Sequence, residues 1–150
     1  MSIVNLAFFW LSMCNPTEKL AIARAFDISR AVTEAINIEG DILEEHKNNY
    51  LLLLRMAYLE SRGDYRISTV DGDYGIMQVR NPNLYGFTVI DVTSDMVTSF
   101  RAGIRVLKIA KENCGGTVQN YLGAYATGKC GGAPKLVKKR CEFIGICNQR

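Results

Sequence analysis

The most constraining feature of the chain is a stretch from Asn49 to Ser61 that is almost wholly apolar and yet ends in a carboxylate. Leu53, Met56 and Ala57 precede Glu60 by seven, four and three positions, so an α-helix places all four on one face. Because that face carries leucine, it has to point into a hydrophobic core. The segment therefore predicts a buried helix with an acid on its inner side.

Glu60 in that setting is expected to hold a proton. Loss of hydration disfavours the charged carboxylate and raises its pKa. The nearby negative end of the helix dipole acts in the same direction. A carboxyl group of this kind can keep a proton near neutral pH and then donate it, as a general acid does. The alternative is an ordinary ion pair, for which Arg55 and Arg62 are the sequence candidates.

Helical periodicity, helix-starting residues and helix-ending glycines predict a mainly α chain. A first helix should start at Asn15-Pro16, with periodicity again from Ala31 to Ile38 before Gly40 ends it. The others are expected from Asp41 to about Arg62, from about Asp95 to Asn113, from Thr117 through Tyr125, and from Pro134 onward.

The spacing of apolar residues changes after Glu60 from a helical to an alternating pattern, which predicts one small β-hairpin. Apolar and polar residues alternate from Tyr65 to Thr69, Asp71-Gly72 is a typical hairpin turn, and Tyr74 to Val79 would return as the second strand. We therefore expect an α+β fold, a helical bundle around the buried helix, with the hairpin forming the wall of a cleft. Glu60 would lie at the floor of that cleft.

Length and composition indicate one globular domain over residues 1–150, with 48% hydrophobic and 22% charged residues. Residues 128–150 are basic: they contain six Lys or Arg against Glu142 alone. This cluster is either a surface for an anionic polymer or simply the solvated side of a helix. No aromatic residues are interleaved with it, so nucleic acid is not an expected partner.

The five cysteines lack the spacing of a metal site. None forms a CxxC pair and the single histidine, His46, is remote in sequence, so no metal is expected. Two interpretations stay open, which are two disulfides in an oxidising compartment or buried free thiols. The cysteines are Cys14, Cys114, Cys130, Cys141 and Cys147.

The N-terminal segment 1–14 is uncharged and apolar. It has the length of a signal or anchor segment, with Cys14 in a weak lipoprotein-like context; the alternative, which we prefer, is a first helix packed on the core. It is too short to cross a bilayer as a helix, so no integral membrane span is expected.

The order of four short motifs resembles the lytic transglycosylases, over roughly half of the chain. These motifs are Glu60-Ser61 at a helix end, the run from Gly75 to Val79 (GIMQV), a helix containing Gly103, and Tyr125 followed three residues later by Gly128. Members of that family have a lysozyme-like fold and cleave bacterial peptidoglycan. The resemblance is more distant to goose-type lysozymes.

The resemblance implies a reaction with one carboxyl group. Glu60 would protonate the glycosidic oxygen between N-acetylmuramic acid and N-acetylglucosamine, and then accept the proton of the muramic C6 hydroxyl, giving a 1,6-anhydro sugar. Ser61 and Tyr125 would hydrogen-bond near Glu60 or the N-acetyl group, and Met77 and Gln78 would line the cleft. The implied partner is the peptidoglycan glycan strand, bound without cofactor or metal by a monomer acting in the periplasm or cell wall.

The chain departs from the family pattern at three positions. Ala126 follows the tyrosine and Ser99 precedes the helix glycine by four residues, where the family usually has Asn at both places. Goose-type lysozymes have an aspartate where this chain has Arg80, although Asp71 or Asp73 could take its part. Two alternatives to the transglycosylase therefore remain, a hydrolytic muramidase and an inactive cell-wall glycan-binding module.

Overall fold

The computed structural model describes residues 18–150, with side chains from residue 24 onward, and this part of the chain contains six α-helices, one 3-10 helix and one two-stranded sheet. The expected segment 1–14, Cys14 and the helix start at Asn15-Pro16 lie outside these residues. None of the described helices is long and apolar enough to cross a membrane. The elements are α1 (Glu18–Glu39), α2 (His46–Ser61), β1 (Asp73–Tyr74), β2 (Val79–Arg80), a 3-10 helix (Pro82–Tyr85), α3 (Val89–Ser94), α4 (Met96–Cys114), α5 (Val118–Thr127) and α6 (Pro134–Ile144).

Helix α4 is the element against which α1, α3 and α5 pack. It begins where the sequence predicts, because the Asp95 carboxylate accepts the backbone N–H of Thr98 at 2.8 Å and so caps the helix. Phe100, Ile104 and Leu107 form its fully buried face. Each such side chain contributes about 1.5–3 kcal/mol by leaving water. The mainly α fold with one small hairpin, consistent with a lysozyme-like architecture, is confirmed.

Helix α2 begins at His46, so the prediction of a start at Asp41 is wrong. The backbone N–H groups of Ile42 and Leu43 donate to the side-chain oxygen of Asn49, at 2.8 and 2.9 Å. Because Asn49 is itself fully buried, its amide fixes this stretch outside the helix, and Asp41 is left to contact His46 at 2.8 Å.

The C-terminal end of α2 is as predicted. Arg62 adopts a left-handed conformation (φ 55°) and donates its N–H to the Tyr58 carbonyl, which stops the helix after Ser61. The apolar side of α2 packs between α1 and α6. Its buried apolar residues are Leu52, Leu53, Leu54, Met56 and Ala57.

The hairpin lies later in the chain than its prediction. β1 pairs antiparallel with β2, and the predicted first strand contributes only a single bridge from Ser68 to Tyr74. The chain reverses between Gly75 (φ 79°) and Gln78 (φ 49°), because both take left-handed backbone conformations that a continuous strand excludes. Gly75 to Gln78 is therefore a tight turn, with a 3.2 Å hydrogen bond from the Gln78 N–H to the Gly75 carbonyl.

Disulfides link four of the cysteines. Cys114, at the end of α4, pairs with Cys130 in the loop after α5, and Cys141 in α6 pairs with Cys147 beyond it. Of the two interpretations left open by the sequence, the structure has the disulfides. The first of them fixes the loop that joins α5 to α6.

Candidate active site

A groove of about 340 Å³ lies where the end of α2 meets the hairpin, α5 and α6. The hairpin forms one wall of this groove, as the sequence predicts, although its strands are shorter. The residues lining it are Glu60, Asp73, Gln78, Val79, Arg80, Asn81, Leu84, Tyr85, Val106, Ala124, Tyr125, Ala126, Thr127, Gly128, Leu136 and Arg140.

Glu60 contributes a largely buried carboxyl group to this groove. Its side chain is only 13% exposed. Burial raises the pKa of Glu60, the positive charge of Arg140 opposes that rise, and the negative charge of Asp73 adds to it. Burial is the largest of these effects, so the pKa lies above the ordinary glutamate value, in the direction that the sequence predicts.

The guanidinium that pairs with Glu60 belongs to Arg140, which the sequence analysis did not identify. Its Nη1 donates to Glu60 Oε1, and the side chain is 19% exposed. Of the two arginines considered from the sequence, Arg55 donates to the Ile144 carbonyl, and the guanidinium of Arg62 lies 4.4 Å from the Tyr58 ring centroid.

Packing of α6 against α2 brings Arg140 to the acid. Tyr58 of α2 stacks on Phe143 of α6 with ring centroids 5.3 Å apart, and Glu60 meets Arg140 on the same pair of helices. Glu60 and Arg140 are 80 positions apart in sequence, so local spacing gives no signal for this pair. The only sequence hint is that Arg140 belongs to the basic cluster of residues 128–150.

Tyr125 connects the groove to the turn between the strands. Its hydroxyl donates to the Met77 carbonyl at 2.5 Å. Burial raises the pKa of Tyr125 well above its ordinary value, so the hydroxyl keeps its proton and acts as a donor. The Met77 side chain is fully buried and packs on Gly103 of α4, where a Cβ atom would lie 2.5 Å from Met77 Cγ. The GIMQ turn therefore depends on the helix glycine.

Ser61 lies behind the groove. Its side chain is buried, and its hydroxyl is 2.8 Å from the Ile76 carbonyl and 3.1 Å from the Ala57 carbonyl. The N–H of Ile76 in turn donates to Ser99 Oγ at 2.7 Å. Two serines, one from α2 and one from α4, thus hold the two polar backbone groups of Ile76.

Gln78 lies on the groove side of the turn. Its left-handed backbone (φ 49°) is unusual for a residue other than glycine, a feature typical of functional sites. Its side-chain amide donates to the Gly75 carbonyl at 2.9 Å. The side chain is therefore oriented by the turn itself, and it lines the groove.

Asp73 and Arg80 face each other across the two strands. Arg80 donates to both carboxylate oxygens of Asp73, at 3.0 and 3.2 Å. Since both residues line the groove with Glu60 and Arg140, two arginine–carboxylate pairs contribute to its lining. Asp71 is exposed and does not line this groove.

A family model described as the transglycosylase SLT domain matches residues 40–137, which is most of the chain. The chain belongs to the transglycosylase SLT domain family. Membership supports transglycosylase activity on peptidoglycan in general, and hence action at the cell wall. No curated protein and no solved structure shows a significant similarity to the chain.

In this SLT domain, three of the five residues singled out from the sequence line one groove, namely Glu60, Gln78 and Tyr125. Ser61 and Met77 were expected to contact substrate, but both side chains are buried behind the groove and contact the turn instead. Among the side chains of residues 24–150 there is no cluster of three or more His, Cys, Asp or Glu able to hold a metal ion.

Proposed function

We propose that the protein is a peptidoglycan lytic transglycosylase that cleaves the β-1,4 bond between N-acetylmuramic acid and N-acetylglucosamine. The observation that supports this most is the buried carboxyl group of Glu60 in a groove open to substrate. The neighbouring carboxylate, Asp73, is engaged by Arg80 through two hydrogen bonds. A reaction in which a single carboxyl group acts first as the acid and then as the base fits this arrangement.

Glu60 performs both proton transfers in this reaction. Its protonated carboxyl donates to the glycosidic oxygen as the bond from that oxygen to muramic C1 breaks. The muramic C6 oxygen then bonds to C1, and its proton passes to the Glu60 carboxylate, which restores the acid. Because the nucleophile is part of the same sugar ring, its effective concentration is very high and no water takes part. The products are a 1,6-anhydromuramyl end and a free N-acetylglucosamine hydroxyl.

The residues around Glu60 hold the groove in the geometry that this reaction needs. Gln78 and Tyr125 line the groove, and in the proposed reaction they contact the glycan. Ser61 and Met77 act as positioning residues, since Ser61 holds the Ile76 carbonyl and Met77 carries the carbonyl that receives the Tyr125 hydroxyl.

Hydrolysis is the second candidate, and Asp73 is the observation that favours it. This carboxylate lines the same groove and acts electrostatically on Glu60. It could orient a water against muramic C1, as the second carboxylate of a hydrolase does. Its two hydrogen bonds to Arg80 disfavour that use, because they hold the carboxylate against the guanidinium and take one acceptor site on each oxygen.

Digestion of purified sacculi in ¹⁸O-labelled water distinguishes the two reactions. A transglycosylase gives anhydromuramic ends that contain no label, since no water enters the product. A hydrolase gives reducing muramic ends that carry one ¹⁸O atom each. Mass spectrometry of the fragments reads both outcomes in one sample, and labelled reducing ends as the main product would overturn the proposal.

The disulfides support a site of action outside the cytoplasm. Bonds such as Cys114–Cys130 and Cys141–Cys147 persist in oxidising compartments and are rare in the cytosol. The periplasm or cell wall, where peptidoglycan lies, is such a compartment. A monomeric state stays a prediction.

A further inference from the structure

Arg140 holds more hydrogen-bonding capacity than its contact with Glu60 uses. A guanidinium has five N–H donors. One bond, from Nη1 to Glu60, is formed, and within the described part of the chain its other N–H groups have no acceptor. The side chain lines the groove and is 19% exposed, so a group bound in the groove can reach it.

The charges along the groove change when Glu60 takes up its proton. In the ionised state two pairs balance, Arg80 with Asp73 and Arg140 with Glu60. Protonation of Glu60 leaves the largely buried guanidinium of Arg140 without a counter-charge, and a buried unpaired charge is unfavourable. An anionic group brought by the substrate would restore the balance at the moment when the acid must be protonated.

We propose that Arg140 is a specificity-determining residue that binds a carboxylate of the substrate glycan and, in doing so, releases Glu60 to act as the acid. This inference rests on the proposed function. Muramyl residues carry the required group either as the lactyl carboxylate of peptide-free strands or as carboxylates of the stem peptide. A guanidinium binds a carboxylate through two parallel hydrogen bonds, which makes the recognition geometrically selective.

Of the charged or titratable side chains described around Glu60, Arg140 is the one whose binding to an anion would favour protonation of Glu60. The facing charged or titratable side chains are Asp73 of β1, Arg80 of β2, Tyr85 of the 3-10 helix, Tyr125 of α5 and Arg140 of α6. Arg80 is held by Asp73, and burial raises the pKa of Tyr125 so that its hydroxyl keeps its proton. Of the effects on the pKa of Glu60, burial favours the protonated acid and Arg140 opposes it, so a substrate that engages Arg140 removes the opposing contribution.

The test compares glycan strands that differ only in charge. Peptide-free strands with free lactyl carboxylates are measured beside the same strands converted to neutral methylamides, and stem-bearing strands are treated in the same way. We expect kcat/KM of the wild type to fall about 10-fold or more on amidation of whichever strand supplies the carboxylate, the size of one charge-assisted hydrogen bond. An effect confined to peptide-free strands assigns the lactyl group, and one confined to stem-bearing strands assigns the stem peptide.

The variants Arg140→Gln, Arg140→Lys and Lys139→Gln attribute the effect to one side chain. Arg140→Gln should cleave charged and amidated strands at similar rates, while Arg140→Lys should keep part of the preference. Lys139→Gln removes a charge from an exposed position of the same helix and should keep all of it. In Arg140→Gln the pH at which kcat/KM begins to fall should also be higher than in the wild type, because the cation that opposes protonation of Glu60 is gone.

The possible failures are distinguishable. If the wild type cleaves charged and amidated strands equally, or if Arg140→Gln keeps the preference, the role of Arg140 is overturned and the proposed function stands. If the wild type cleaves neither kind of strand, the proposed function fails and this inference fails with it.

Discussion

Replacing Gly103 with alanine should displace the turn that holds Tyr125. A Cβ atom at this position would lie 2.5 Å from Met77 Cγ and 2.7 Å from Met77 Cβ. Ordinary contacts between carbon atoms are about 3.5–4.0 Å, so Met77 has to move by roughly 1 Å. Because its side chain is fully buried, that movement carries the backbone of the turn with it. A 2.5 Å hydrogen bond from Tyr125 to the Met77 carbonyl then lengthens beyond the normal range.

The expected cost to stability is small and the expected cost to activity is large. Overpacking a core destabilises by about 1–3 kcal/mol, and the better helix propensity of alanine offsets about 1 kcal/mol of this. The variant therefore stays folded at room temperature. A displacement of about 1 Å in a catalytic site lowers the rate by on the order of 100-fold.

Urea unfolding and clearing of purified sacculi measure the two quantities separately. Glu112→Ala, a change at an exposed position of the same helix, is the control and should match the wild type in both assays. If Gly103→Ala clears sacculi at the wild-type rate, or loses rate only in proportion to the unfolded fraction, the position of the turn does not control the site and the reasoning is refuted.

Three further predictions concern stability and pH. Ser99→Ala removes the acceptor for the buried backbone N–H of Ile76 and should lower the free energy of unfolding by about 1–3 kcal/mol. The control Ser94→Ala, at an exposed position, should change it little, and equal effects of the two variants in urea titrations would contradict this. Replacing Cys114 and Cys130 together by serine should cost about 3 kcal/mol in the same assay, from the loop of 16 residues that their disulfide closes. The kcat/KM for sacculi should fall as pH rises through the raised pKa of Glu60, because only the protonated carboxyl can donate; a loss of activity that begins in the ordinary glutamate range instead would contradict the account.

Local sequence signals predict those elements whose hydrogen bonds are local. The predicted helix from Asp95 to Asn113 is observed as Met96–Cys114, because both its capping carboxylate and its terminating glycine act within a few residues. The final helix likewise begins at Pro134. The predicted start of α2 was wrong. The side-chain amide of Asn49, inside the observed helix, accepts hydrogen bonds from the backbone N–H groups of residues 42 and 43 and so keeps them out of the helix.

The parts of the site that the sequence did not predict depend on tertiary contacts. Glu60 was singled out from its helical face together with the motifs that follow it, but Arg140 reaches it only through the packing of α6 on α2. The turn at Gly75 is held by Ser99, where the family usually has Asn, and a Cβ at Gly75 would lie 2.3 Å from that hydroxyl. Serine at position 99 thus supplies a backbone contact that no sequence periodicity reveals.

In the proposed reaction the carboxyl group of Glu60 alone carries both proton transfers, and Glu60→Gln removes both. Glutamine keeps the size of the side chain and its hydrogen-bonding capacity but cannot donate or accept the proton. We expect the folded variant, checked by circular dichroism, to clear purified sacculi at least about 100-fold more slowly than the wild type. Clearing by Glu60→Gln at the wild-type rate would contradict it.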